Sequence, residues 1–300
     1  LISKNGELMI KEFLKNKLFT NSLIYGFSGT LVAIIPFFLL PFLTRNLSQA
    51  DYGLSLYFSS LITISLPIIS FGSINAISVR FFQLKAKEFA SYLWSCVAVL
   101  ILSVILIHMI LFIFKSLISQ LIIIDFSWLI IGTLTASLWG FSQACGILLI
   151  AKSNPKKYFI INACIGFFTI SLTVILISFY GFSWKGFGIA LFVAHLIAAV
   201  ISLIILISDT KISSINKNYC FDSLRFGMPV MVHSFAISLI TYFDRIIISK
   251  YLTIEDLAVY GVAFQIGILI SFVAQAFNKA FVPWLYEKLK TKSELNNFLI

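Results

Sequence analysis

Stretches of 18 or more mostly apolar residues recur along the whole sequence. Each is long enough to cross the hydrocarbon core of a bilayer as a helix. Hydrophobic residues make up 60% of the 300 positions and charged residues only 11%, which lies outside the range of soluble domains. The sequence therefore predicts an all-α polytopic membrane protein. Eight spans are expected, at about residues 19–43, 53–77, 92–114, 127–151, 158–180, 186–208, 226–249 and 257–285.

Prolines occur inside these predicted spans, and four of them stand out: Pro36 and Pro41 in the first, Pro67 in the second and Pro229 in the seventh. Proline removes one helical hydrogen bond and crowds the preceding turn. Each of the four is therefore a candidate position for a kink or a break. Breaks at membrane depth are tolerated only where neighbouring groups or water satisfy the freed backbone.

Basic residues cluster in alternate loops, which indicates an orientation. With the N-terminus in the cytoplasm, the inner segments hold 16 Lys and Arg residues and the outer loops hold four. The positive-inside tendency therefore favours a cytoplasmic N-terminus. The net charge of +10 is then a topology signal. No nucleic-acid partner is expected, because no continuous basic face lies outside the membrane.

The remaining bulk features suggest no processing and no cross-linking. Residues 1–18 are expected to form a basic cytoplasmic lead, with Met9 as a suitable start. No small-residue cleavage site follows the first apolar run, so that run is predicted to be a retained span. Three of the four cysteines lie in apolar runs and none forms a C-x-x-C pair. They are interpreted as small core residues, with no disulfide or metal site.

Short segments near the start of the chain recur about 200 residues later. Asn21–Gly26 resembles Asp222–Gly227, and Arg45–Ser48 resembles Lys250–Thr253. Further matches follow in the same order: Asp51-Tyr52-Gly53 with Asp256…Tyr260-Gly261, and Asn75 with Asn278. Parallel repeats related by an axis along the membrane normal are a transporter architecture. The alternative is chance similarity between apolar helices.

The repeat predicts a division into lobes. Residues 19–208 would form a first six-helix lobe, 209–225 a cytoplasmic linker, and 226–300 the first two helices of a second lobe. Six spans return the chain to its starting side, so both lobes would have the same orientation. The second lobe is expected to be incomplete and the chain truncated, since it stops where a ninth span would begin.

Asp244 and Arg245 are two adjacent charges in the predicted seventh span. Ionisable residues cost roughly 2.5–3.5 kcal/mol each near the centre of a membrane helix and less near its ends. Adjacent helical residues point about 100° apart, so each needs its own partner or water. We expect a gate or cation site near the outer mouth, where Asp244 could take up a proton or cation. The alternative is an interfacial anchor.

Six further residues are predicted to line a substrate cavity or to serve as gate or coupling groups: Arg45, Arg80, Asn75, Lys279, Asn278 and His233. For Arg80 the alternative is an ordinary cytoplasmic helix-end cation. His233 follows Pro229 by four residues and is a candidate for proton coupling together with Asp244; the alternative is a hydrogen-bonded core histidine. No H-E-x-x-H, P-loop or G-x-S-x-G motif occurs, so no enzyme is predicted.

Four segments resemble a known family. They are FGMP from Phe226, DRIIISKYL from Asp244, YGVAFQI from Tyr260, and TRNLSQADYGL from Thr44. They are similar to segments of bacterial O-antigen and polysaccharide flippases, which belong to the multidrug/oligosaccharidyl-lipid/polysaccharide exporter superfamily. The resemblance covers nearly the whole chain from Met9.

The resemblance implies two six-helix lobes around a cavity that opens alternately to each side of the bacterial inner membrane. It implies translocation of an undecaprenyl-diphosphate-linked oligosaccharide, such as a unit of O-antigen, lipopolysaccharide or capsule. A proton or sodium gradient would drive transport, with no other cofactor. Arg45, Arg80, Arg245 and Lys279 would then neutralise the diphosphate. Expected partners are the lipid-linked oligosaccharide, membrane lipids, and the polysaccharide polymerase and chain-length proteins.

Two other functional interpretations remain open. The first is a related transporter, either a multidrug antiporter or a peptidoglycan-precursor flippase. Spans one to six hold no clearly buried carboxylate, which argues against a cation-coupled drug antiporter. The second is a membrane polysaccharide polymerase or ligase, which the short outer loops disfavour.

Overall fold

The computed structural model describes residues 17–268 and residue 270, with side chains from residue 24 onward. Every regular element in this part of the chain is helical. The helices are α1 (Lys17–Asn46), α2 (Gln49–Ser70), a 3-10 turn (Ser73–Asn75), α3 (Ala76–Phe81), α4 (Ala86–Ile113), α5 (Lys115–Leu121), α6 (Phe126–Ala151), α7 (Pro155–Ser178), α8 (Trp184–Asp209) and α9 (Lys217–Tyr251). Residues 254–268 are also helical.

Seven of these helices are long and apolar enough to cross a membrane. They are α1, α2, α4, α6, α7, α8 and α9, and they coincide with the first seven predicted spans. The prediction of an all-α polytopic membrane protein is confirmed. The eighth predicted span, 257–285, begins within the helical residues 254–268, and its remainder lies almost wholly outside the described residues.

The four prolines do not break their helices. Helix α1 continues through Pro36 and Pro41, and α9 continues through Pro229. Helix α2 continues three residues beyond Pro67, to Ser70. The break in the second span comes instead at Phe71 and Gly72. Proline removes only one donor, whereas a left-handed residue turns the chain out of the helix altogether.

The core lies where α3, α4, α6, α7 and α8 meet. Its completely buried members include Leu93, Cys96, Cys145, Leu148 and Leu149. The two buried cysteines are free thiols and pack as small apolar residues, as the sequence predicted. Lipid tails are as apolar as these side chains, so close packing is what holds such helices together in a membrane.

An aromatic cluster joins α2, α6 and α8 near the starts of the latter two helices. The Phe58 ring lies 5.8 Å from the rings of both Trp128 and Trp184, and the two indoles are 4.9 Å apart. Phe58 is completely buried. A Cβ on Gly188 would lie 2.8 Å from the Trp128 ring, so only glycine leaves room for the indole.

Loops rich in lysine and arginine gather at one end of the bundle, which we call the basic end. Helices α1, α7 and α9 begin there, while α6 and α8 end there. At this end Lys157 Nζ pairs with Asp209 Oδ1 at 2.5 Å, and Lys152 Nζ donates to the Asp209 carbonyl at 3.0 Å. The aromatic cluster lies toward the other end, which we call the opposite end.

The chain divides into two compact units, residues 1–258 and 259–300. The helices α1–α9 all belong to the first unit. Within the described part of the second unit, the chain is helical and the Tyr260 and Phe264 rings lie 6.1 Å apart, one helical turn from each other.

Candidate functional site

The second span is discontinuous at Phe71 and Gly72. Both residues have positive φ, at 46° for Phe71 and 63° for Gly72. The left-handed conformation suits glycine but strains phenylalanine. Surrounding packing must therefore hold Phe71 in place.

Polar side chains satisfy the backbone that this break exposes. Ser73 Oγ donates to the Ser70 carbonyl at 2.9 Å, and Ser103 Oγ donates to the Ile69 carbonyl. Asn75 donates to the Gly72 carbonyl through both its backbone N–H, at 3.0 Å, and its side-chain Nδ2, at 3.2 Å. In this structure Asn75, predicted as a cavity or gate residue, stabilises the break.

Gly72 and Gly227 form a backbone crossing between the break and α9. A Cβ added to Gly72 would overlap the Gly227 carbonyl oxygen, and one added to Gly227 would overlap the Phe71 carbonyl oxygen. Backbone approaches of this kind require glycine on both sides. The break and α9 therefore meet without intervening side chains.

An ion-pair network lies beside this crossing, at the basic end. Arg80 on α3 binds Asp222 on α9 bidentately, with Nε–Oδ2 at 2.9 Å and Nη2–Oδ1 at 2.7 Å. The Tyr92 hydroxyl on α4 donates to Asp222 Oδ2 at 2.9 Å, and Arg80 Nη1 donates to Gln83 Oε1. The hydrogen bond to Asp222 raises the pKa of Arg80 above its ordinary value. We call Arg80, Tyr92 and Asp222 the basic-end clamp.

The segment before α9 is held by the start of α4. Ser91 Oγ donates to the Ser214 carbonyl at 2.6 Å, and Trp94 Nε1 donates to the Lys211 carbonyl at 3.2 Å. The Asn216 N–H donates to Ser95 Oγ at 3.0 Å. These bonds satisfy backbone groups of a segment without regular structure. They also fix the point at which α9 begins relative to the clamp.

A second junction lies at the opposite end, between the start of α2 and the start of the helical residues 254–268. Gly53 lies against Ile254, where an added Cβ would overlap the Ile254 carbonyl oxygen. Gln49 Nε2 donates to the Glu255 carbonyl at 3.1 Å. Two helix starts, at 49 and at 254, therefore meet face to face at this outer junction.

The two helix starts carry the same cap. The Asp51 N–H donates to Ser48 Oγ at 3.1 Å, and Ser48 Oγ donates to Asp51 Oδ2 at 2.8 Å. The corresponding distances for Thr253 and Asp256 are 3.1 and 2.7 Å. Hydrogen bonds from Thr253 hold the pKa of Asp256 below its ordinary value. The two matched caps thus have the same local geometry, and residues next to them contact each other.

Arg245 is buried against α2 between the two junctions. Its side chain is 4% exposed, and Nη1 donates to Ser60 Oγ at 3.2 Å. The guanidinium lies 4.6 Å from the centre of the Tyr242 ring, within the range of a cation–π contact. Asp244 is half-buried, and its Oδ1 accepts the Arg245 N–H at 2.7 Å. Arg245 thus has the separate partners that the sequence argument required.

The other predicted site residues are scattered. Arg45 is exposed in the last turn of α1, and His233 is exposed on α9. Lys279 and Asn278 lie outside the described residues. Within residues 17–268, no group of three His, Cys, Asp or Glu side chains could hold a metal ion.

Sequence reasoning missed Asp222, Tyr92 and Ser60. Asp222 lies in the repeat, where the first copy has Asn21, and it lies three residues before Arg225. The change from the amide of Asn21 to the carboxylate of Asp222 could have indicated an ion pair. Tyr92 and Ser60 gave none, because tyrosine and serine are ordinary residues in membrane helices.

The sequence of this chain is similar to those of known proteins. A family model described as polysaccharide biosynthesis protein matches residues 18–288. A protein of the Lsg locus of Haemophilus influenzae is 26% identical over 287 residues, which cover 92% of this chain and 68% of the relative. An uncharacterized membrane protein of the same species is 24% identical over 284 residues, covering 92% and 67%.

A solved structure named only protein A has a similar fold. It superposes with a TM-score of 0.61 at 14% sequence identity. The match covers 84% of this chain but only 60% of that one. At this identity the likeness concerns the fold alone.

Proposed function

The chain belongs to the polysaccharide biosynthesis protein family, and from that membership we propose that it is a flippase. It would move an undecaprenyl-diphosphate-linked oligosaccharide, such as an O-antigen or capsule unit, across the bacterial inner membrane. The chain would transport this intermediate rather than catalyse its synthesis. The observation that carries the proposal is the family match over most of a chain with seven candidate spans.

The proposed orientation puts the basic end in the cytoplasm. Clustered lysines and arginines favour the cytoplasmic side because of the positive-inside tendency. Substrate would then enter from the leaflet beside the basic-end clamp and leave beside the outer junction.

The two junctions suit an alternating-access mechanism. Alternating access needs contacts at each end of the membrane that form and break in turn. The basic-end clamp connects the bundle α1–α8 with α9, and the outer junction connects α2 with the helix that begins at residue 254. If α9 begins a second lobe, as the repeat predicts, separation at one end breaks the clamp and separation at the other breaks the outer junction.

The charged residues of α9 supply the proposed substrate and ion chemistry. Arg245 would meet the diphosphate when the outer junction opens, because an arginine can bind phosphate oxygens bidentately. Asp244 and His233 would take up a coupling proton or sodium ion. Arg45 and Lys279, with Asn278, would add to the polar lining of the cavity. Polymerase and chain-length proteins would accept the product.

A vesicle assay tests the proposal. Inverted inner-membrane vesicles carrying the full-length protein receive a fluorescent undecaprenyl-diphosphate oligosaccharide, and its protection from a membrane-impermeant quencher is followed over time. We expect protein-dependent transfer, slowed at least tenfold by Arg245→Gln. The matched control is Arg225→Gln, which removes the same charge from an exposed position of α9. Transfer equal to that of empty vesicles refutes a flippase for this substrate class, and transfer of a peptidoglycan precursor alone reassigns the substrate.

A further inference from the structure

We propose that a groove between α1 and the start of α7 binds an anionic phospholipid by its phosphodiester headgroup. The groove has a volume of about 620 Å³ and is lined by Ile24, Phe27, Lys156, Phe159 and Ile160. Four of these residues are apolar and the fifth is a cation. The proposed transport mechanism uses none of them.

Helical spacing explains why these five side chains converge. Ile24 and Phe27 are three residues apart on α1, while Lys156, Phe159 and Ile160 occupy positions i, i+3 and i+4 on α7. Residues at these spacings share one helix face. The Phe27 and Phe159 rings stack across the groove, with centres 6.4 Å apart and planes at 18°. Both helices begin at the basic end. Lys156 therefore lies at the basic-end entrance of the groove, and Phe159 and Ile160 lie one helical turn deeper.

The charge balance at this end favours an anion. Three lysines, Lys152, Lys156 and Lys157, lie close together in sequence at this end, and two of them interact with Asp209. Lys157 pairs with the Asp209 carboxylate, and Lys152 donates to the Asp209 backbone carbonyl. Lys156 is exposed on the neighbouring face of α7, directed at the groove. Positive charge therefore remains at the groove entrance.

A phospholipid fits this combination better than a diphosphate carrier lipid. The groove offers one lysine, which suits the single charge of a phosphodiester, whereas a diphosphate carries more charge and needs more cations. Phe27 is 63% exposed and Ile160 is 48% exposed, so the apolar walls are open to acyl chains. With the basic end in the cytoplasmic leaflet, anionic lipids would be concentrated at Lys156.

Lipid titration of the purified full-length protein tests the site. Native mass spectrometry measures the binding of palmitoyl-oleoyl phosphatidylglycerol and, for comparison, palmitoyl-oleoyl phosphatidylcholine. We expect Lys156→Gln to weaken phosphatidylglycerol binding about fivefold, the effect of one lysine at an anionic membrane surface, and to leave phosphatidylcholine binding unchanged. The matched control is Lys87→Gln, which removes an exposed lysine from the basic end outside the groove.

A second variant tests the apolar part of the site. Ile160→Trp fills the groove and is expected to weaken binding of both lipids. Equal phosphatidylglycerol binding by Lys156→Gln and Lys87→Gln overturns the proposal. Displacement of phosphatidylglycerol by substoichiometric undecaprenyl phosphate also overturns it, because the groove would then be a carrier-lipid site. These measurements involve no transport, so their failure and the failure of the flippase proposal can be told apart.

Discussion

Removing either charge of the basic-end clamp should destabilise the protein, and the two losses should not add. The pair consists of Arg80 and Asp222, joined by two charge-assisted hydrogen bonds of 2.9 and 2.7 Å. Their side chains are 29% and 36% exposed. Fully exposed pairs contribute roughly 0.2–1 kcal/mol, and breaking a buried pair costs about 3–5 kcal/mol. For this half-buried, bidentate pair we expect about 1.5 kcal/mol, or roughly tenfold in an equilibrium constant.

A double-mutant cycle measures that coupling. The variants are Arg80→Gln, Asp222→Asn and the double substitution, and the readout is the free energy of unfolding of the full-length protein in detergent. Tyr92→Phe is the companion variant, because it removes one hydrogen bond from the same carboxylate while leaving the ion pair. It should cost less than either charge loss.

The outcome that refutes the clamp is additivity. If the two single losses add to within about 0.3 kcal/mol, the residues do not interact in solution. A further check is the behaviour of the coupling at high pH. The pKa of Arg80 is raised above an already high ordinary value. A group with a raised pKa loses its contribution only as the pH rises through that value, so the coupling should persist from neutral pH to about pH 10.

Three further expectations follow from the packing and the caps. Gly227→Ala should destabilise the protein by about 1–3 kcal/mol through overpacking. The control Gly29→Ala should not destabilise it, because nothing lies within 4 Å of the new methyl group. Equal effects of the two variants on the free energy of unfolding would contradict the backbone crossing. Phe58→Ala should cost about 3–5 kcal/mol because it empties the centre of the aromatic cluster, and a loss below about 1 kcal/mol would show that the cluster is loosely packed. Thr253→Val should raise the pKa of Asp256 toward its ordinary value, as measured by NMR titration of the carboxyl carbon. In the unmodified protein the pKa of Asp256 is lowered. The Asp256 carboxylate therefore stabilises the fold above the ordinary carboxyl range, and this contribution is lost as the pH falls through the lowered value.

Local rules of helix formation were enough to predict most of the spans. Apolar length gave the first seven helices to within a few residues at most ends, because a membrane span must satisfy its backbone internally. The matching of Ser48 and Asp51 with Thr253 and Asp256 carried over into matching caps, since an N-cap involves only residues within one turn. The prolines do not break their helices, because a helix can absorb one lost hydrogen bond.

The roles of the charged residues could not be predicted in the same way. Arg80 was predicted as a cavity or gate residue, with a helix-end cation as the alternative, and its partner Asp222 lies 142 residues away. Arg245 was correctly expected to need a partner, but Ser60, 185 residues earlier, could not be identified from the sequence. Asn75 was predicted as a cavity or gate residue, and its hydrogen bond to the helix break at Gly72 could not be identified from the sequence.

The sequence by itself therefore determined that this chain crosses a membrane, where its first seven spans lie and which end is basic. These properties depend on composition and on residues a few positions apart. The tertiary structure decided which residues form sites. It brought Gly72 against Gly227 and Arg80 against Asp222, and it directed Lys157 to a carboxylate while its neighbour Lys156 faces an apolar groove. Such pairings depend on how whole helices cross, and helix crossing is set by the packing of many side chains together.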